Sequence, residues 1–306
     1  MDDLDWLAER FAEHRTRLRA AAYRLLGSLP DVEDAIQDAW LRASGSDTPA
    51  AEIGNPGGWL TTIVARVCLN ALRTRHTRNE EPWDLFHLPD PVLSGIDGRM
   101  TPEDEALLSD QVGLALQIVL DELGPDERLA FVLHDLFAMP FAEIATVLER
   151  PEPAVRQLAS RGRKRVSEAG THAPDPDLAK QREVIGAFFA AARDGDLDAL
   201  VAVLHPDVVA RADFGGRRLP TPAVLRGAAK VAENARLGYV PAADLRPILV
   251  NGAAGTLVLR GGRPFALMAF TVVDGRITEL DIYGDHDRVT RLIGSVRDPK
   301  RLPDRR

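Results

Sequence analysis

Residues 124–166, GPDERLAFVLHDLFAMPFAEIATVLERPEPAVRQLASRGRKRV, decide the architecture. Three short helices are legible in them. Leu129, Phe131, Val132, Leu133 and Leu136 give the first an apolar side. Phe141, Ile144, Ala145 and Leu148 recur at i, i+3, i+4 and i+7 in the second. The tight polar turn Glu149-Arg150-Pro151-Glu152 follows. In the third helix Val155, Leu158, Ala159, Gly162 and Val166 share a face, and Pro153 falls in the first turn, where a missing N–H has no partner to lose. The opposite face carries Arg156, Gln157, Ser160, Arg161, Arg163 and Lys164. Two helices across a tight turn, the second with a basic, hydrogen-bonding outer face, form the pattern of a helix-turn-helix whose second helix enters a DNA major groove. The competing reading is a surface helix with a solvated basic face.

A second basic segment upstream tips the balance. Asn55-Pro56 predicts a helix start, with Asn as cap and Pro at the first position. Trp59, Leu60, Ile63, Val64, Val67, Cys68, Ala71 and Leu72 give that helix a broad apolar side. Thr62, Arg66, Asn70 and Arg73 line one polar stripe, and the helix runs out into Arg75, His76 and Arg78. Cations for phosphates, with amides and hydroxyls for base edges, suit a strand of DNA. An amphipathic helix with a basic end favoured by the macrodipole is the alternative. Two further helices precede it over residues 5–45. Trp6, Leu7, Phe11, Leu18, Ala22 and Leu25 mark the first. Asp31 reads as the N-cap of the second, whose buried stripe is Val32, Ala35, Ile36, Ala39 and Ala43. Glu33, Asp34, Gln37, Asp38 and Leu41 lie outside that stripe, an acidic face with a leucine in it that suits a protein partner or, more simply, solvent.

Composition sets the bounds. The chain of 306 residues has room for two or three domains, and 45% hydrophobic residues suffice for their cores. No apolar run approaches ~18 residues, so no membrane span is expected. The acidic, amphipathic start MDDLDWLAERFAEHR is not a signal peptide. A single cysteine, Cys68, excludes an internal disulfide framework and fits a reducing cytoplasm. The net charge of −8 argues against a protein coated in nucleic acid, but local basic patches are what DNA binding requires. They occur at Arg66–Arg78 and Arg156–Arg165.

The remainder divides by composition. Residues 80–103 are linker, broken by Pro82, Pro89, Pro91 and Pro102. Their middle, Trp83 to Val92, is too apolar for a free tether and is expected to pack on something. Residues 170–176 form a second linker. Over 177–290 the pattern changes to α+β. One helix carries Leu178, Val184, Ile185, Phe188, Phe189 and Ala192, a short helix runs to Leu204, and a strand follows over Val208–Phe214. A helix is expected near Ala223–Arg236, then strands at Leu245–Val250, Thr256–Arg260, Pro264–Val273 and Arg276–Tyr283. Asp274-Gly275 marks a hairpin between the last two. A charged tail, 291–306, completes the chain.

With these residues in hand, 5–168 resembles an extracytoplasmic-function (ECF) sigma factor, the promoter-specificity subunit of bacterial RNA polymerase. Asp31-Val-Glu-Asp-Ala-Ile-Gln-Asp-Ala-Trp-Leu-Arg42 resembles the helix that docks on core polymerase. Trp59 through Asn70 and Arg73 resembles the helix that reads and melts the −10 element, with Asn70 where the family places a polar residue near the flipped base. Residues 124–166 resemble the −35 reader. The run Phe188 to Leu200 with His205-Pro-Asp-Val-Val is similar to SnoaL-like domains of the NTF2-like superfamily, a combination found in the sigma-J-like ECF group. That group carries a Trp-Leu-Pro-Glu-Pro type motif in its linker; here His87-Leu88-Pro89-Asp90-Pro91 stands with the aromatic displaced. It also carries an Asp-Gly-Gly-Gly-Lys type motif, here Asp213-Phe214-Gly215-Gly216-Arg217, and a late Asn-Pro-Asp-Lys-Leu type motif, here the divergent Asp285-His286-Asp287-Arg288-Val289.

The resemblance implies a multidomain fold: two all-α sigma domains, region 2 (1–79) and the region 4 helix-turn-helix (104–169), plus a C-terminal α+β SnoaL/NTF2-like cone (177–290). It implies Thr62, Arg66, Asn70, Arg73 and Arg75 at the −10 element, and Arg156, Ser160, Arg161, Arg163 and Lys164 at the −35 element. Glu33, Asp34, Gln37, Asp38 and Leu41 would meet core polymerase. Leu88, Pro89, Asp90 and Pro91, with Asp213, Gly215, Gly216 and Arg217, would regulate in cis. The implied partners are core polymerase and promoter DNA, in the cytoplasm, with no membrane; the cone leaves room for a small-molecule ligand. No cofactor, metal or catalysis is expected. His205, Asp213 and Asp281 are the acid/base candidates in the cone, but they lack a base-plus-orienter constellation. The alternative is a helix-turn-helix regulator whose SnoaL-like domain is a small-molecule sensor or a vestigial enzyme. That reading leaves the acidic helix and the Asn55–Arg78 helix unused.

Overall fold

A computed structural model of the chain describes residues 3–78, 87–94, 114–169, 174–215 and 223–294. It forms two compact units, one of residues 1–84 with 102–171 and one of residues 85–101 with 172–306.

The first unit is all-α. Helices α1 (Asp3–Leu26), α2 (Leu29–Ser44) and α3 (Pro56–Arg78) pack on one another through Leu18, Leu25, Val32, Leu60, Val64 and Cys68, all buried. Gly27, in the left-handed region at φ 68, ends α1. Helix α2 begins a turn before the expected Asp31 cap. Ser28 is the N-cap, its hydroxyl accepting the Asp31 N–H at 3.4 Å, because Pro30 is tolerated in a first turn whose N–H groups are unpaired anyway. Asn55 caps α3 as expected, accepting the Gly58 N–H at 3.0 Å.

Helices α4 (Leu114–Asp121), α5 (Pro125–Phe131), α6 (Phe141–Leu148) and α7 (Glu152–Glu168) follow. The first of the three expected helices is shorter than its apolar pattern, because α5 widens into a π-turn over Val132–Leu136 that Ala138 closes at φ 55. Between α6 and α7, Glu149 takes the left-handed conformation a tight helix-turn-helix turn demands, and Pro151 enters α7 extended. Gly162 lets α7 lie on α5: a Cβ there would meet the Phe131 Cβ at 2.9 Å.

The second unit is α+β. It contains β1 (Leu93–Ser94), α8 (Leu178–Asp194), α9 (Leu197–Val203), β2 (Leu204–Asp213), β3 (Val224–Arg226), α10 (Ala228–Leu237), β4 (Asp244–Val250), β5 (Ala253–Arg260), β6 (Arg263–Val273), β7 (Arg276–Tyr283) and α11 (His286–Gly294). The sheet runs β1-β4-β5-β6-β7-β2-β3, antiparallel except for the β2–β7 pair. Asp177 and Asp196 cap α8 and α9 through their carboxylates. Asp274 and Gly275, both at positive φ, make the expected β6–β7 hairpin. Residues 224–226 pair with β2 as a strand where the helical pattern had been expected to begin. The helices cover one face through Phe188, Leu200, Val231, Phe270 and Leu280, giving the expected cone. Gly216, Arg217, the tail 295–306 and most of the 80–103 linker lie outside the described residues.

Candidate nucleic-acid interface and linker clamp

Period 3.6 puts Glu33, Asp34, Gln37, Asp38 and Leu41 on the outer side of α2, all exposed, Leu41 at 58%. Glu33 pairs with Arg19 at 2.6 Å and Asp38 with Arg42 at 3.4 Å. Asn70 opens onto a groove of about 570 Å3 between α2 and α3, lined also by Asp34, Gln37, Asp38, Leu41 and Thr74. The acidic face and Asn70 are thus neighbours, which separation in sequence concealed.

The α3 stripe is held by residues far along the chain. Arg73 pairs with Asp126 of α5 at 2.9 Å, and Arg66 donates to the Thr146 carbonyl of α6 at 3.4 Å. Thr62 donates to Gly58 O at 3.0 Å within its own helix. Arg75, beyond the stripe, donates to the Leu26 carbonyl at 2.9 Å, satisfying the end of α1, and pairs with Asp31. Deeper in, the buried Arg128 donates to Arg24 O at 3.0–3.1 Å, and Gln117 donates to Tyr23 O and Arg24 O at 3.2 and 3.3 Å. Groups on α4 and α5 therefore cap the open carbonyls of α1. Burial pushes the Cys68 thiol up to about 12, as expected of a core residue rather than a reactive one.

On α7, Arg156, Gln157, Ser160, Arg161, Arg163 and Lys164 are all exposed. Arg156 lies over the Phe141 ring at 4.6 Å and bonds Glu152. Arg161 and Arg165 both reach Glu127, at 3.0 and 3.1 Å, and Arg163 reaches Asp135 at 2.8 Å. Lys164 sits 3.7 Å from Glu168. Among the described residues Ser160 and Gln157 make no side-chain hydrogen bond, so their donors and acceptors face outward. The result is a pre-shaped basic face with uncommitted polar groups at its centre.

The linker packs within the second unit. Leu88 is fully buried and Asp90 is 7% exposed. Arg288, on α11, holds the segment through three contacts: Nε to Asp90 Oδ1 at 2.7 Å, a terminal nitrogen to Asp213 Oδ2 at 2.6 Å, and the other to the Leu88 carbonyl. Asp213 also accepts the Leu88 N–H at 2.9 Å and lies 3.0 Å from His87 Nδ1. The Tyr283 hydroxyl donates to Pro89 O at 2.9 Å. Val92 and Asn251 exchange two bonds at 2.7 and 2.8 Å, and β1 pairs with β4. Gly215 closes against Asp285 at φ 61, where a Cβ would collide with that carboxylate. Burial opposes ionisation of Asp213, but hydrogen bonds from His87 and the Gly215 and Leu88 amides bring it down to about 2. Of the expected motif residues, Leu88, Pro89, Asp90, Asp213 and Gly215 meet here. Arg288, Tyr283 and Asn251 were not expected; Arg288 lay within the divergent Asp285–Val289 run, the one available hint.

The acid/base candidates stand apart. Asp281 pairs with Arg211 at 3.1 Å, Arg211 also pairs with Glu279 at 2.9 Å, and burial pushes Asp281 up to about 7 against the pull of Arg211. His205 accepts the Asp207 N–H at 3.2 Å, a local turn.

Comparison with known proteins accounts for both units. Residues 10–78 match the Sigma-70 region 2 family and residues 114–166 the Sigma-70, region 4 family. Over 295 residues the chain is 39% identical to the ECF RNA polymerase sigma factor SigJ of Mycobacterium tuberculosis, covering 92% of each. Over 285 residues it is 33% identical to the probable ECF RNA polymerase sigma factor SigI of the same species, covering 92% of this chain and 94% of that one. The crystal structure of M. tuberculosis SigJ matches with a TM-score of 0.68 at 37% identity, covering 92% of this chain and 98% of that chain. No described helix is long and apolar enough to cross a membrane. With both sigma regions in order and 39% identity to SigJ over 92% of its length, the chain belongs to the ECF RNA polymerase sigma factors.

Proposed function

We propose that this alternative sigma factor binds core polymerase through α2, reads the −10 element through α3 and the −35 element through α7, and is regulated in cis by its C-terminal cone. Glu33, Asp34, Gln37, Asp38 and Leu41 form the docking face. Asn70 and its groove take the displaced −10 base, whose unstacking costs a few kcal/mol. Arg156, Ser160 and Arg161 contact −35 base edges, while Arg163, Lys164 and Arg165 grip phosphates. Polymerase and chromosome place its action in the cytoplasm.

The observation that carries the regulatory half is the engagement of Arg66 and Arg73 with α6 and α5. The −10 and −35 elements lie about 25 base pairs apart, roughly 85 Å of duplex at 3.4 Å per pair. Helix α3 packs against α6, and α6 against α7, so the two readers are about two helix spacings apart, on the order of 20 Å. Promoter binding therefore requires α3 to part from α5 and α6. The only covalent link between these parts is the linker that Asp213 and Arg288 hold, and that gives the cone a hand on the transition.

In vitro transcription with core polymerase tests the reading. Leu41→Glu should abolish output by blocking docking, and Arg161→Ala should weaken −35 discrimination by about 1–3 kcal/mol. A chain ending at Ala169 should differ in promoter-dependent output from the full chain. Identical output would sink regulation in cis, and full output from Leu41→Glu would sink the docking face.

A further inference from the structure

The π-turn over Val132–Leu136 carries His134, and such turns inside helices recur at functional sites. The His134 ring stacks on Phe141, the first residue of α6, with centroids 3.7 Å apart and planes 25° from parallel. Its Nδ1 lies 3.1 Å from the Met139 carbonyl, which can only accept, so the proton sits on Nδ1 and the imidazole is held in place. The Arg156 guanidinium lies over the same Phe141 ring, 4.6 Å from its centroid. Glu152, one turn earlier on α7, accepts from Arg156 Nε at 3.1 Å and from one terminal nitrogen. Phe141 is only half-buried, so core packing does not account for the stack.

We infer that Phe141, braced by His134, is a positioning residue for −35 recognition: it presents Arg156 to a base edge, and the base that Arg156 then selects is guanine. The ring holds a face of the guanidinium, and Glu152 holds one of its edges. The remaining edge, with donors on both terminal nitrogens, makes no hydrogen bond among the described residues. Arg156 stands in the second turn of α7, near the end of a recognition helix that meets base edges.

An exposed arginine spreads over many rotamers, and ordering it on DNA weakens binding. A planar cation already held on a ring and a carboxylate loses less when it binds. The two donors of the free edge match the O6 and N7 acceptors that guanine shows in the major groove. Adenine sets a donor beside its N7 and so opposes one of them. An arginine free to rotate could instead turn a single donor to any acceptor or to a phosphate, and its choice of base would weaken. Selectivity at this position thus depends on a side chain outside the recognition helix. The inference rests on the proposed reading of the −35 element by α7, and adds the device that sharpens it.

The test uses the full chain assembled with core polymerase. A promoter fragment that this holoenzyme retains is randomised over its −35 element, re-selected, and sequenced for wild type and for each variant. Arg156→Ala identifies the Arg156 position as the one whose guanine preference disappears. Phe141→Leu and Phe141→Met keep an apolar side chain and lose the ring; two variants guard against one misfolding. Each should cut the guanine preference at that position by about two- to fivefold, the size of an exposed cation–π contact, and leave the other −35 positions as in wild type. Phe141→Tyr should restore the preference. In the Arg156→Ala background, Phe141→Leu should change base preference no further. Preferences unchanged in both ring-less variants overturn the inference. So does a loss spread over every −35 position, which would make Phe141 a general support of the fold. Arg156→Ala with every preference intact overturns base reading by Arg156 as well, so the two failures are told apart.

Discussion

Replacing Arg288 with alanine should release the linker from the cone. Its side chain is about as buried as a guanidinium can be, 5% exposed, and it neutralises Asp90 and Asp213, themselves 7% and 2% exposed. Removing one member of a buried ion pair costs about 3–5 kcal/mol, because the remaining charge stays desolvated and unpaired. Here two carboxylates and the Leu88 carbonyl lose a partner together. At the low end, 3 kcal/mol is more than a hundredfold in an opening equilibrium. Hydrogen exchange reads it directly, since the Leu88 N–H is bonded to Asp213 and the Val92 N–H to Asn251. Exchange over 87–94 should accelerate at least tenfold in Arg288→Ala. Adding Asp213→Asn should restore part of the loss, since the second change removes one of the two buried carboxylates that lost the guanidinium. Exchange within twofold of wild type in Arg288→Ala, or a double variant as damaged as the sum of the two, would refute the clamp as an electrostatic device.

Two further outcomes follow from packing and charge. Gly162→Ala should destabilise the first unit by about 1–3 kcal/mol in urea denaturation, since the new methyl meets the Phe131 Cβ and not the end of a flexible side chain. The second unit should have a stability maximum bounded on both sides by named groups. Asp213 is depressed to about 2, so its contribution is full above its ordinary pKa near 4 and is lost as pH falls from there through 2, about 2 kcal/mol in all. Asp281 is raised to about 7, so its contribution is full below about pH 4 and is lost as pH rises through 7. Urea midpoints against pH should lose the acid limb in Asp213→Asn and the neutral-range decline in Asp281→Asn.

How much of this was legible depended on how local the cause was. Asn55-Pro56 announces α3 and Asp274-Gly275 announces a hairpin, because cap and turn chemistry act within four residues. The apolar periodicity of 124–166 was enough for a helix-turn-helix, and the quoted motifs were enough for the family. Ser28 displaced Asp31 as cap because two capping residues stood within one turn and the proline between them suited the earlier start. The 224–226 strand was hidden because three residues carry no period, and its identity comes from pairing with β2. Arg288 and Asp90 are 198 residues apart. The linker motif flagged Asp90 and the divergent Asp285–Val289 run contained Arg288, but only the fold pairs the two. Arg75 illustrates the converse: a basic residue at the end of α3 that also satisfies the Leu26 carbonyl at the end of α1, 49 residues away in sequence.

The closed arrangement of the first unit is built to be reversible. Beside the packing of α3 on α5 and α6, it is bridged by polar contacts: Arg73 to Asp126, Arg66 to Thr146 O, and Arg128 with Gln117 to the end of α1. Arg73 is 47% exposed, so its pair is largely screened and contributes little. The carbonyls of Tyr23 and Arg24 exchange protein donors for water on opening, a swap that nets only about 0.5–1.5 kcal/mol per hydrogen bond, somewhat more for Arg128. Among the described residues, buried Gln117 leaves its Oε1 without a partner, a cost relieved by hydration. Turning 99:1 closed into 99:1 open requires about 5.5 kcal/mol of differential binding. On the proposed reading, core polymerase and two promoter elements acting together would supply that. On the same reading, a shift of one or two kcal/mol at the linker clamp would move that equilibrium about five- to thirtyfold.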